Sequence, residues 1–419
     1  MDIDLLLGFL VFFFVFSSLV LFFSDILFFG LYVFLFIYGF FALLGYWYFP
    51  DFSEGISAYF GQDEYIEYFT FYSASLFFCF VSFFLLSLIT SRTGVVLYRV
   101  TDIKGGGVTY KIYVFLYFLF LIGLSLLFIK SYGQVDYSSA PSGNFALLIA
   151  MFKYLTVFCF VHYASIFAGD KVDFLKHHKM VLFLAIFSFI LEMAISFKIG
   201  SRTDLLALIL GIVFLHLYKS LKLGGFGKIF FRVVIVIIPI MLLLFSMEYI
   251  REENARYNGL AKAVIVKDYF APLHILFATM HYQLVDPLNV IKSNFYNTFV
   301  MMGYPYLQTG VGNMLIEGSS SRSTGFAMHI FSEGYMFSGW LGLVYNCAVV
   351  TVGIFLWRSL SLSSSFRFNC FAIGLVAMQF ANISRGQSMY FLKDIYMIFI
   401  PAIILYFAIS GQRLGRLKL

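Results

Sequence analysis

Charge is what this chain has least of. Lys, Arg, Asp and Glu make up 12% of its 419 residues, against roughly 25% in a soluble domain. No stretch is polar enough, over enough length, to separate out as a soluble domain. Cysteine is scarce too. Cys79, Cys159, Cys347 and Cys370 all lie inside apolar runs, so they read as small buried hydrophobes and not as a disulfide or metal set. Walker loops, zinc-ligand spacings and Gly-x-Ser-x-Gly elbows are absent, which removes the enzyme classes that depend on them. The opening "MDIDLLLGFL" is acidic and has no basic n-region, so it does not read as a cleavable signal. The net charge of +6 suits a membrane protein with basic cytoplasmic loops and gives no argument for nucleic acid.

What the chain has instead is apolar length. It is 61% hydrophobic, with 57 Phe and 29 Tyr. Apolar runs of about 18–25 residues, enough to cross a bilayer as helices, recur from end to end. The expected fold is an all-α integral membrane protein with about eleven spans, forming one polytopic domain over residues 1–419. The first run, 3–49, would be about 70 Å long as one helix, so it splits in two near Ser24-Asp25. Further spans are expected near 68–90, 112–130, 144–168, 180–198, 203–218, 229–249, 336–357, 367–383 and 391–410.

Loop charge orients these spans. "PDFSEGISAYFGQDEYIEY" has five acids and no Lys or Arg, and is placed outside. "SRTGVVLYRVTDIKGGGVTYK", "GDKVDFLKHHK", "KSLKLGGFGK", "RSLSLSSSFR" and "GQRLGRLKL" are basic and placed inside. Strict alternation satisfies all of them, with the N-terminus outside. A long outer loop over 250–335 results, with amphipathic pieces and a Gly/Ser-rich stretch; loops of such length are usually functional. The acids Asp63, Glu64 and Glu67 have no second cluster to complete a metal site and read as solvated loop.

Several cations sit on the outer side, against the inside rule. Arg202, Arg251 and Arg385 each lie within a few residues of a span end, and Arg322 lies in the long loop. Such a set suits an anionic ligand with a lipid tail, a phosphate or pyrophosphate, whose oxygens match the guanidinium fork. "GSRTD" fits a capping box, with Ser201 as N-cap, Arg202 as the first helical residue and Asp204 at N3. Arginine beside a helix N-terminus makes a phosphate site; the alternative is an arginine that only snorkels to the interface. Inside the spans, Glu192 and Lys153 lie at similar depth, about 10–14 Å from the outer ends, and are expected to pair. The alternative for Glu192 is a proton acceptor. In "STGFAMHIFSEGYMFSGWLGLVYN", His329 and Glu333 are i,i+4, and Gly334, Gly339 and Gly342 permit close backbone approach. His329 or Glu333 is a candidate general base.

The stretches "IGSRTDLLALILG", "SMEYIRE", "AMHIFSEGYMFSGWLGLV" and "NISRGQ" resemble the O-antigen polymerases (Wzy), integral-membrane glycosyltransferases of bacterial surface polysaccharide assembly. The resemblance covers roughly residues 190–400 in layout. It implies a GT-C-like fold in the inner membrane and a metal-independent active site facing the periplasm, with no cofactor. The implied substrates are undecaprenyl-pyrophosphate-linked oligosaccharides, with a polysaccharide chain-length regulator as a further partner. The implied reaction joins repeat units and releases undecaprenyl pyrophosphate. Arg202, Arg251, Arg322 and Arg385 would hold the pyrophosphate, and His329, Glu333 or Glu192 would take the hydroxyl proton. Rival readings are an O-antigen ligase acting on lipid A core and a lipid-linked oligosaccharide flippase.

Overall fold

A computed structural model describes residues 3–36, 62–92, 96–102, 108–132, 143–168, 179–199, 202–223, 271–296, 329–380, 389–410 and 412–415. Among the described residues, eight helices are long and apolar enough to cross a membrane, and the protein is a multi-pass, membrane-embedded chain. The first run bends where expected. Helix α1 (Ile3–Ser24) stops at Asp25, whose Oδ1 accepts from the Leu27 and Phe28 amides at 3.0 and 3.4 Å. Helix α2 (Ile26–Phe36) turns back along α1, with Phe14 stacked on Phe36 at 3.9 Å and Ser17 Oγ donating to the Tyr32 hydroxyl at 2.9 Å.

Helix α3 (Gln62–Arg92) follows, then strand β1 (Arg99–Asp102). Four long helices come next: α4 (Val108–Ser131), α5 (Gly143–Phe167), α6 (Lys179–Ile199) and α7 (Arg202–Lys222). The long loop contributes α8 (Ala271–His281) and α9 (Pro287–Phe295). Helix α10 (Ile330–Ser338) joins α11 (Gly342–Ser359) through a 3-10 turn at Gly339–Leu341. Last come α12 (Phe366–Ala377), α13 (Met389–Asp394), α14 (Ile400–Ser410) and strand β2 (Gln412–Gly415). The span expected near 367–383 is the short helix α12. The one expected at 229–249 lies outside the described residues.

An all-α chain was the expectation; the described residues are mostly helical, with one short strand pair among them. Strands β1 and β2 pair antiparallel, Arg99 opposite Gly415 and Asp102 opposite Gln412. Backbone bonds from Leu97 to Leu362 at 2.8 Å and from Ser364 to Tyr98 at 3.1 Å add a third segment to this pair. The described parts of the basic loops and tail, 97–102, 362–364 and 412–415, thus lie together, which agrees with the expectation that they share one side.

The chain divides into two compact units. The first holds residues 1–94, 255–356 and 380–393, and the second holds 95–254, 357–379 and 394–419. In the first, α8 and α9 pack on α10 around Ile275, Val290 and Met336, while α8 also meets α3. In the second, α4, α5 and α6 pack side by side, and α12 lies along α7.

Candidate functional site

The first unit gathers its polar groups around Glu333, and local sequence explains how. Asp286 caps α9: its Oδ1 accepts the Asn289 amide at 3.0 Å, and Pro287 sits at the first helical position, where no N–H is needed. The Asp286 amide donates to the Met336 carbonyl at 2.8 Å, which ties the start of α9 to α10. Asn294 near the end of α9 is thereby carried to Glu333. Its Nδ2 donates to Glu333 Oε1 at 2.5 Å, and the Tyr345 hydroxyl donates to the same oxygen at 2.9 Å. Tyr345 is held by stacking on Phe337 at 4.5 Å. Glu333 is 1% exposed, so these bonds replace the water it has lost.

The turn between α10 and α11 makes this convergence sterically possible. Gly339 has φ +60, a left-handed value that stops α10. A Cβ on Gly342 would lie 2.0 Å from the Gly334 carbonyl oxygen, and one on Gly334 would lie 2.2 Å from Asn346 Oδ1. Of the three glycines expected to allow close backbone approach, Gly342 does so, while Gly334 makes room for the Asn346 side chain and Gly339 supplies the turn conformation. Asn346 closes over them, and its Nδ2 donates to the Phe331 carbonyl at 3.4 Å.

His329 is not on a shared helical face with Glu333. It is the N-cap of α10, in an extended conformation, with Nδ1 accepting the Phe331 amide at 3.2 Å. The ring proton therefore sits on Nε2, which lies toward the Leu35 carbonyl and makes no well-formed hydrogen bond among the described residues. Burial against Tyr72 and Phe331 pushes its pKa down to about 3. With its one lone pair already engaged, this imidazole is built as a cap.

A second cluster escaped the sequence reading. Asp63, Glu64 and Glu67 fall in the first turns of α3 and not in a loop. His281 Nδ1 at the end of α8 donates to Glu64 Oε2 at 2.6 Å, and the Tyr68 hydroxyl donates to the same oxygen at 2.9 Å. The His281 bond first, and the Tyr68 bond second, hold Glu64 below the usual carboxylate range. Glu67 accepts from Trp340 Nε1 at 3.2 Å. His281 lies 217 residues from Glu64, so no local pattern could signal the pair.

The second unit holds Glu192, fully buried on α6. Its Oε1 accepts from Thr156 Oγ1 on α5 at 2.7 Å, while Oε2 has no partner among the described residues. The expected Lys153–Glu192 pair does not form. Lys153 is exposed, because α5 turns Thr156 and not Lys153 toward α6. Helix α7 begins at Arg202, with Asp204 in its first turn, as expected. Nothing is described of the Arg202 side chain, and Ser201, Arg251, Arg322 and Arg385 lie outside the described residues. The chain matches no family model, no curated protein and no solved structure.

Proposed function

We propose that this protein is a membrane glycosyltransferase that polymerises undecaprenyl-pyrophosphate-linked oligosaccharide repeat units into a surface polysaccharide. The reading rests on the four sequence stretches that resemble the O-antigen polymerases. The observation that carries it further is the cluster at Glu333, a buried carboxylate anchored by a helix of the long loop and by the α10–α11 turn. In this reading the protein is a GT-C-like fold with about eleven spans, set in the bacterial inner membrane with the long loop and Glu333 toward the periplasm.

Chemically, a hydroxyl of the acceptor sugar attacks the donor's anomeric carbon. The new C–O bond forms as the bond to undecaprenyl pyrophosphate breaks, and the hydroxyl proton passes to Glu333. Asn294 and Tyr345 fix the carboxylate, which limits the geometry it must search. The pyrophosphate leaves with its charge, so it needs cations; Arg202, Arg251, Arg322 and Arg385 fill that role. Neither a metal nor a cofactor enters the reading.

The test is complementation of a strain deleted for the gene, read as lipopolysaccharide ladders on a gel. Single-repeat products in the deletion support the polymerase. Complete loss of attached repeats would indicate a ligase, and lipid-linked units trapped in the cytoplasm would indicate a flippase. Glu333→Gln keeps shape and hydrogen bonding but cannot take a proton. It is expected to lower polymer formation by about 10²–10⁴-fold at unchanged protein level in the membrane. Wild-type ladders from Glu333→Gln would remove this residue from the mechanism.

A further inference from the structure

We propose that the strand pair β1–β2 is a clamp for the phosphate of an anionic phospholipid, formed by Arg99, Thr101 and Arg413 on one face of the sheet. The clamp needs only that the chain sits in a membrane, so it stands apart from the glycosyl-transfer reading.

Register decides which side chains share a face, because neighbours along a strand alternate. Arg99 lies opposite Gly415 and Thr101 opposite Arg413, so these residues belong to one face. Val100 and Gln412 belong to the other, and that face turns inward. Both are buried; Gln412 Nε2 donates to Ser365 Oγ at 3.1 Å, and its Oε1 accepts from the Tyr406 hydroxyl at 3.3 Å. The first face therefore turns outward, and Arg99 and Arg413 are both exposed. They are diagonal neighbours across the pair, rooted about 7–8 Å apart. Thr101 adjoins both, next to Arg99 on its own strand and across from Arg413. Gly415 leaves the space beside Arg99 open. Among the described residues no ion pair or hydrogen bond engages either guanidinium.

Basic loops are ordinary in membrane proteins, and orientation asks only for positive charge somewhere near a span end. This pair is more specific. Two like charges are fixed by register on one face, where they repel, and no carboxylate on that face offsets them. Two guanidinium forks with a hydroxyl beside them are what a phosphate takes. Position then names the source of the phosphate. Helix α14 ends the span Leu392–Ser410, and β2 starts at Gln412. Arg413 is therefore within about 10 Å of the span end, against a headgroup layer about 5–8 Å deep on each side of the hydrocarbon. Leu97, two residues before Arg99, is exposed and suits the top of an acyl chain, which a soluble phosphate lacks. A headgroup of net negative charge fits better than a zwitterionic one, whose own cation would meet the arginines.

The test uses the full chain, purified in a neutral detergent and titrated with phosphatidylglycerol or phosphatidylcholine. Bound lipid is counted by native mass spectrometry. Phosphatidylglycerol is expected to be preferred about tenfold or more, since each arginine near a lipid surface is worth about fivefold. Arg99→Gln and Arg413→Gln should each lower the preference about fivefold. Lys179→Gln removes the same charge from the exposed start of α6 and should leave the preference unchanged. Gly415→Leu keeps every charge but covers the face. Its Cβ meets the Arg99 carbonyl oxygen at 3.5 Å and Thr101 Cγ2 at 3.6 Å, ordinary contacts, so it should fold and still lose the preference. If Arg99→Gln aggregates, Arg413→Gln and Gly415→Leu decide the matter. Equal losses from Arg99→Gln and Lys179→Gln would reduce the effect to diffuse charge and overturn the clamp. So would a wild-type chain without the preference, or a Gly415→Leu chain that keeps it. Displacement of phosphatidylglycerol by inorganic phosphate at equal concentration would overturn the lipid as its source.

Discussion

A single methyl group distinguishes two glycines in the α10–α11 turn. Gly342→Ala would place its Cβ against the Gly334 carbonyl and the Tyr335 amide, both backbone. Neither can step aside without moving α10, so a loss of about 1–3 kcal/mol or more is expected. Gly334→Ala meets the Asn346 side chain first, which can rotate away, so it should cost less. Thermal unfolding midpoints in detergent rank the two; equal losses would contradict the packing. The buried carboxyl on α6 gives a similar contrast. Thr156→Val removes the one hydrogen bond to Glu192 Oε1 and is expected to cost about 1–3 kcal/mol. Lys153→Met removes an exposed charge that pairs with nothing described, and should stay within about 0.5 kcal/mol. If Lys153→Met instead depletes the folded protein, the lysine reaches Glu192 after all.

The presence of the described spans was legible in the sequence, because a continuous apolar run either reaches membrane length or does not, but their limits were not: α3 begins at Gln62 and not near 68, and the helix expected over 336–357 is interrupted at Gly339. Helix rotation was not legible either. A helix that is apolar all round carries no stripe to say which face turns inward. Lys153 and Glu192 sit at matching depths, yet only Glu192 faces the bundle. The same limit hid His329, whose i,i+4 spacing from Glu333 suggested one face until α10 proved to start one residue later. Tertiary ties were less legible still, as the docking of α8 shows. His281 fastens α8 to Glu64, with side chains 28% and 45% exposed. Solvent screening keeps such a pair to about 0–1 kcal/mol. Because the folded chain holds Glu64 below its usual range, the tie is fully present above the ordinary carboxylate range. It is lost as pH falls through the depressed folded value. The melting difference between wild type and Glu64→Gln should therefore be small and positive at pH 7 and vanish in acid. A difference that grows on acidification would assign the contact the wrong sign.

At the scale of the whole molecule, loop charge and strand pairing give the same arrangement by unrelated physics. Charge places loops 91–111 and 358–367 and the tail together, and hydrogen bonds join all three. With the span expected over 229–249, which lies outside the described residues, six expected crossings separate the first two loops. That is an even number, as a shared side demands. Cysteine-accessibility mapping is expected to label sites near 100, 175, 224 and 415 from one side and sites near 60, 137 and 290 from the other. Opposite labelling of 100 and 415 would break the β1–β2 pair, and labelling of 290 from the side of 100 would remove the loop from the proposed active face. The pairing also has a consequence in time. Strand β1 is synthesised roughly 300 residues before β2, a delay of about 15–60 s at usual translation rates. Throughout that interval its backbone edge is open to any passing strand. The pairing therefore waits until β2 has been made, and a nascent chain stalled short of Gln412 is the form most exposed to quality-control proteases.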